Sequence, residues 1–183
     1  VPYTTANIML LDNGNLRIAR WSGHEMLQKE AFISNLVQSL TNLPLDAEAI
    51  KSQQPIVTPD TQKDMGWLNL DQTAWIRSHL VLPLRLQDRV IGLLRMNSEH
   101  PNQFSQKDAQ RLLPLGNAAA IALENARYFN MVETERSRMS AILEYAAEAI
   151  IVTDNDNRLW LWSNTAANIF KLNDDARGKA IRN

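Results

Sequence analysis

Two neighbouring stretches of this chain place polar side chains where strand alternation would otherwise leave an apolar surface. Residues 76–86 and 89–97 are rich in β-branched and aliphatic residues, and the Gln87-Asp88 corner between them reads as a tight turn, so they form two long paired strands. Alternation puts Arg77, His79 and Val81 on one face of the first strand and Ser78, Leu80, Leu82 and Leu84 on the other. In the second strand Leu93, Arg95 and Asn97 share a face, with Leu94 and Met96 opposite. The all-apolar faces suit packing under helices. The mixed faces suit a pocket, where a few polar groups among apolar ones orient a ligand. Arg77 and Arg95 could pair an anionic ligand, against the plainer reading of exposed strand arginines. His79 could ligate a haem, but a hydrogen-bonded strand histidine is favoured. Trp21, Trp67 and Trp75 lie near strand ends and loops, where they could stack on a flat ligand or simply pack. Asp60, Asp64 and Asp71 form a loose acidic set, read as a solvated loop rather than an acid/base pair. The candidate ligand-binding residues are Trp21, Asp60, Trp75, Arg77, His79, Arg95 and Asn97.

Several chemistries have no residues to carry them. The chain has no cysteine, which removes disulfides, thiolate metal sites and thiol nucleophiles, and fits a reducing, cytoplasmic setting. His24, His79 and His100 are too scattered for a zinc site. His24-Glu25 looks like a phospho-accepting pair, yet the arginine, threonine and proline expected after it are missing. No catalytic centre is read. A formal net charge of -1 gives neither a footprint for nucleic acid nor an attraction to an anionic membrane. The longest apolar run, residues 118–123, is too short to span a bilayer, whereas 45% hydrophobic residues suffice for a packed core. The chain does not begin with Met and shows no signal peptide, so it reads as a piece of a longer protein.

The remaining elements follow from period and turn chemistry. Residues 6–21 read as a hairpin around Asp12-Asn13-Gly14-Asn15. Ile33, Leu36, Val37 and Leu40 give residues 25–40 one helical stripe, stopped at Pro44. Residues 46–51 make a short helical turn, 55–57 a short strand, and 61–73 a loop with a helical turn. Pro83 inside a central strand calls for a bulge. Ser105 with Asp108 starts a long helix that contains Pro114, predicts a bend there, and reaches about Tyr145. Along it Leu115, Ala118, Ala122, Asn125, Phe129, Val132, Met139 and Leu143 follow alternating three- and four-residue steps, broken at Arg136. Beyond the helix, residues 149–153 and 158–162 read as strands around an Asp154-Asn155-Asp156-Asn157 turn. Ser163-Asn164 then caps a helix over 165–170.

These pieces, in this order, resemble the GAF domain. Arg77-Ser78-His79-Leu80-Val81-Leu82-Pro83-Leu84 followed by Arg89-Val90-Ile91-Gly92-Leu93-Leu94 is similar to its central hairpin. Pro55-Ile56-Val57 with Asp60 is similar to its short middle strand, Phe104-Ser105 with Asp108 to the start of its last helix, and Ala120-Ile121-Ala122-Leu123-Glu124-Asn125-Ala126-Arg127 to that helix's end. Residues 142–171 resemble the front of a PAS domain: a helix, Ala149-Ile150-Ile151-Val152-Thr153-Asp154, a turn, a strand and Asn164-Thr165-Ala166-Ala167. A helix expected before residue 6 and the rest of the PAS domain are not in the sequence.

The resemblance implies an α+β fold, a GAF-like antiparallel sheet of about six strands with helices on one face and a ligand pocket on the other. It implies residues 1–130 as the GAF-like sensory domain, 131–146 as a connecting signalling helix and 147–183 as an incomplete PAS-like segment. It implies sensing rather than turnover, within a bacterial signalling protein such as a two-component histidine kinase whose output domain lies elsewhere. The expected partners are a second copy of the chain, joined through the helix stripe, the adjoining domains, and an unidentified small molecule. The cofactor is left open: without a cysteine no bilin attaches covalently, nor can the chain act as the cysteine-dependent methionine sulfoxide reductases of this fold do. Three readings stand side by side: a ligand-binding sensor, a ligand-free dimerisation spacer, and a haem- or metal-dependent sensor or small enzyme.

Overall fold

Asn13 and Gly14 adopt positive φ values of 48° and 78°, as a two-residue type I′ hairpin requires, and join β1 (Thr5–Asp12) to β2 (Asn15–Ser22). The structure is a computed structural model, and it describes residues 1–23, 36–68 and 70–180. They fall into two compact units, Val1–Glu124 and Asn125–Asn183.

The first unit is an α+β domain built on one antiparallel sheet. Its strands run in the order β3-β2-β1-β6-β5-β4, where β3 is Val37–Ser39, β4 Ile56–Thr58, β5 Ser78–Leu86 and β6 Arg89–Ser98. The helix expected over residues 25–40 does not hold at its end: Arg17 pairs with Val37 and Leu16 with Gln38, so residues 37–39 extend the sheet. The ladder of β2 offers these residues hydrogen-bond partners, and tertiary pairing overrides their helical spacing. Val37 is accordingly exposed while Leu36 and Leu40 pack inward, a strand pattern in place of a helical stripe. Residues 24–35, including His24 and most of that expected helix, lie outside the described residues.

Pro44 opens a helix instead of ending one. It occupies the first turn of α1 (Pro44–Ser52), where its fixed φ suits helix entry and its missing N–H costs no bond. Pro83 is also accommodated differently from the expectation of a bulge at the proline. The register slips between Leu84 and Arg85, while Pro83 itself stays opposite Leu93. The short β4 pairs β5 only from His79 to Val81, so Pro83 lies past its reach, on an edge where proline is tolerated.

Each face of the sheet has its own core. Leu80, Leu82 and Met96 pack with Phe104, Ala109, Leu112 and Leu113 from the long helix α2 (Gln106–Tyr145) and the segment before it. On the other face Met9, Leu16, Ile18, Val81 and Leu93 pack with Leu43 and Ala49 from around α1. A short helix therefore covers part of the pocket face as well. Burying each of these large side chains contributes about 1.5–3 kcal/mol. Gly92 permits the close approach of β1 and β6: a Cβ there would stand 2.3 Å from the Met9 carbonyl oxygen.

A reciprocal cap starts α2. The Ser105 amide donates to Asp108 Oδ2 at 3.0 Å and the Asp108 amide donates to Ser105 Oγ at 3.3 Å. The Ser105 hydroxyl, which donates to Asp108 Oδ2 at 2.6 Å, and then the Ser105 amide hold the Asp108 carboxyl below its ordinary value. The helix continues through Pro114, and Glu124 on it receives Arg89 Nη2 at 2.6 Å.

The second unit contains the end of α2, the hairpin β7 (Ile151–Thr153) and β8 (Leu159–Trp162), and the helix α3 (Asn164–Phe170). Asp154 Oδ1 accepts the amides of Asp156 and Arg158 at 2.9 Å each, which closes the hairpin turn. Ser163 is fully buried: its Oγ caps α3 through the Ala166 amide, accepts from the Ile150 amide and donates to the Glu148 carbonyl.

Candidate functional site

On the mixed face of the sheet three adjacent strands set polar side chains in register. Thr5 lies opposite Asn97 and Asn7 opposite Arg95 across β1 and β6, and Asn97 lies opposite His79 across β6 and β5. Opposed residues on one face stand close enough for their side chains to meet. Asn97 Nδ2 donates to Thr5 Oγ1 at 3.0 Å, which turns Oδ1 toward His79 Nδ1, 2.6 Å away. An amide oxygen only accepts, so the ring carries its proton on Nδ1. Burial pushes the His79 pKa down to about 4, with nearby Arg95 in the same direction and Asp46 and Asn97 opposing, so the imidazole is neutral at pH 7. The edge of Trp67 meets the His79 ring with centroids 4.9 Å apart.

Arg95 is the centre of this layer. Its Nε donates to Asp46 Oδ1 of α1 at 2.7 Å and its Nη1 to Gln38 Oε1 of β3 at 2.7 Å. Arg95 is only 7% exposed and Asp46 5%, so the ion pair is held out of water. Two buried polar atoms in the layer have no partner among the described residues, Arg95 Nη2 and Asn7 Oδ1.

These side chains form the floor of a cavity of about 100 Å³. Its walls are apolar: Leu43 and Leu45 near α1, Trp67, Leu68 and Leu70 from the following loop, and Trp75 with Ile76 ahead of β5. Trp75 Nε1 donates to the Gln72 carbonyl at 3.1 Å, which fixes that wall. The floor therefore supplies directed hydrogen bonds and the walls supply apolar contact, the combination that orients a small molecule.

Of the residues singled out from sequence, Trp75, His79, Arg95 and Asn97 line this cavity. Arg77 and Asp60 do not. Arg77 Nη2 is 3.3 Å from Asp60 Oδ1, and the pair ties the start of β5 to the loop after β4. Desolvation pushes the Asp60 carboxyl up, but the Gln62 amide, Lys63 and Arg77 outweigh it and leave the pKa lowered. Trp21 packs against the core beside α1 and is not in the cavity wall. Alternation placed Arg77 on the face of His79, but it precedes the first ladder pair of β5, where the strand pattern has not begun. Asn7, Gln38 and Asp46 were not singled out. A polar Asn7 two residues before the buried Met9 was the available signal; Gln38 and Asp46 carried none, because their positions depend on how β3 and α1 fold over the sheet.

On α2, Leu115, Ala118, Ala122, Asn125, Phe129, Val132 and Met139 are exposed, as is every residue from 125 to 142. Leu143 differs: it is 6% exposed, so it is packed within the chain and is not available to a partner helix. No helix among the described residues is long and apolar enough to cross a membrane.

The profile of the GAF domain family matches residues 4–124. Among solved structures, the GAF domain/HD domain protein from Geobacter sulfurreducens is similar over 70% of this chain and 84% of its own, at 17% identity and a TM-score of 0.61. The GAF domain region of a putative membrane protein from the same organism, strain PCA, is similar over 67% of this chain and 82% of its own, at 25% identity and a TM-score of 0.55. The free methionine-R-sulfoxide reductase from Neisseria meningitidis, solved with its substrate, is similar over 69% of this chain and 70% of its own, at 22% identity and a TM-score of 0.55. No curated protein is similar enough in sequence to count as a relative.

Proposed function

Because the chain belongs to the GAF domain family, whose members serve as regulatory and sensory modules of signalling proteins, we propose that it binds a small molecule in the cavity above Asn7, His79, Arg95 and Asn97 and relays occupancy along α2. The observation that carries this reading is the cavity itself, in which Asn7, Gln38, Asp46, His79, Arg95 and Asn97 form a polar floor under apolar walls. Arg95 also reaches Gln38 of β3 and Asp46 of α1, so a ligand drawn to it acts on elements of both the sheet and its cover.

The relay is a two-copy device in this reading. The exposed stripe of Leu115, Ala118, Ala122, Phe129, Val132 and Met139 packs against the same stripe of a second copy. Ligand binding favours one setting of the paired helices, and shifts of about 1–2 Å are enough to switch a downstream domain. The segment after α2 acts as the front of a PAS-like domain, and the output is a histidine kinase or similar catalytic domain in the cytoplasm. No thiol is available for reductase chemistry of the kind its structural neighbours perform, since the chain lacks cysteine.

A second reading, a dimerisation spacer that holds no ligand, is favoured by the small size of the cavity, about 100 Å³ against the roughly 300–1,000 Å³ of sites for drug-sized ligands. Native mass spectrometry of the purified chain, compared with the denatured sample, separates the two. A non-covalent mass that disappears on denaturation supports the sensor. Dimeric ions of protein mass alone, unchanged when metabolite extract is added, support the spacer and overturn the sensor.

A further inference from the structure

We infer that the molecule this cavity takes is uncharged, largely apolar and no bigger than a single ring, as a small hydrocarbon or ketone is, and that the Asp46–Arg95 pair in its floor turns anions away although an arginine is present. The inference rests on the reading of the cavity as a ligand site and adds the class of ligand.

Three observations lead there. The first is that the floor has no charge to offer. Among the described lining residues only Asp46, His79 and Arg95 are ionisable. Arg95 Nε and Nη1 donate to Asp46 Oδ1 and Gln38 Oε1 at 2.7 Å each, and Nη2 has no surface open to the cavity. Arginine holds carboxylates and phosphates through its fork of N–H groups, and this fork is already spent or closed off. A second anion would also be repelled by the Asp46 carboxylate beside it. Arg77 cannot stand in, because it is tied to Asp60 outside the cavity. A cation fares no better: Arg95 already balances Asp46, burial keeps the His79 imidazole uncharged, and burying a charge without compensation is costly.

The second is where the remaining contact lies. The neutral polar groups of the floor are engaged with one another: Asn97 Nδ2 bonds Thr5 Oγ1, and His79 Nδ1 bonds Asn97 Oδ1. The walls offer Leu43, Leu45, Trp67 and Trp75. Leu68 and Leu70 line the cavity too while remaining 42% and 37% exposed, so apolar surface runs from the walls outward. An apolar molecule gains by taking such surface out of water. The third is size. An apolar cavity of about 150 Å³ takes benzene, so about 100 Å³ places a single ring near the upper limit.

The test is an NMR titration of the full chain at pH 7, read at the indole N–H signals of Trp67 and Trp75 after assignment with Trp67→Phe and Trp75→Phe. Four small probes are compared: benzene, butanone, propionate and propylammonium. Benzene and butanone should each bind about tenfold or more tightly than the two ions, which must shed their hydration without compensation. Asp46→Asn keeps the side chain's shape and leaves the guanidinium charge unbalanced, so propionate should gain about tenfold. Unchanged propionate binding in the folded variant overturns the assignment of anion exclusion to this pair. If that variant does not fold, the ranking of probes on the unsubstituted chain still decides. Propionate or propylammonium binding as tightly as benzene overturns the ligand class and leaves the pocket standing. If none of the four shifts either indole, native mass spectrometry with metabolite extract separates the failures. A bound mass that disappears on denaturation then overturns the ligand class alone, and protein mass alone overturns the pocket reading and this inference with it.

Discussion

His79 Nδ1 lies 2.6 Å from Asn97 Oδ1 across the β5–β6 ladder, and the bond requires a proton on Nδ1; burial, not this bond, keeps the ring neutral. Burial, the largest influence, lowers the folded pKa to about 4 from an ordinary 6.5. A depressed folded pKa means that the unfolded chain binds the proton more readily. The stability this histidine permits is complete above pH 6.5 and is lost as pH falls through the window down to about 4. Over that window His79 should account for roughly 3 kcal/mol of lost stability. Urea denaturation at pH 7 and pH 4.5 measures it. His79→Gln, which keeps a donor but does not titrate there, should flatten the acid loss; an unchanged loss would show that other groups cause it.

The Asp46–Arg95 pair predicts a strong asymmetry between single and double variants. Asp46→Ala leaves a buried guanidinium without its counter-charge and should cost about 3–5 kcal/mol. Asp46→Leu combined with Arg95→Met removes both charges and should cost much less than the two single changes added together. Denaturation midpoints of the four proteins in the cycle check this, and simple additivity would contradict the coupling.

Two glycines should respond to alanine with opposite signs. At Gly92 a Cβ would meet the Met9 carbonyl oxygen at 2.3 Å, and the β1–β6 ladder cannot part without losing its bonds, so Gly92→Ala should destabilise by about 1–3 kcal/mol. At Gly116 the nearest atom, Leu84 Cδ2, is 3.7 Å away, an ordinary contact, and the residue is inside α2. Gly116→Ala should therefore stabilise by about 0.5–1 kcal/mol through helix propensity. Calorimetric melting temperatures moving in the same direction for both would refute the geometric argument.

Arg136 interrupts the exposed stripe and pairs only loosely with Glu133, at 3.9 Å. Arg136→Leu should tighten self-association by about tenfold in sedimentation equilibrium, since an apolar residue fills the seam between Val132 and Met139. Equal dimer constants would argue against this helix face as the contact. Leu143→Ala serves as a contrast: a buried side chain is lost, so stability should drop by about 2–5 kcal/mol while the dimer constant of the folded chain stays unchanged.

Features on which local chemistry and long-range packing agree are legible in the residues alone. Asn13-Gly14 forms a tight turn, the β5–β6 alternation sets Leu80 and Leu82 against Val81 and His79, and Ser105 with Asp108 caps α2 through purely local bonds. With them came the GAF-like six-stranded sheet and three floor residues of the cavity, His79, Arg95 and Asn97. Long-range contacts set the rest. Residues 37–39 became a strand because the open edge of β2 offered partners that a helix could not use. Pro44 started a helix because nothing upstream needed its N–H. Arg77 turned to Asp60 instead of the cavity, and Asp46, Gln38 and Asn7 were drawn to Arg95 from three separate elements. A buried guanidinium must find its partners wherever the chain brings them, and that assembly is long-range, with Arg95 and Gln38 57 residues apart in sequence.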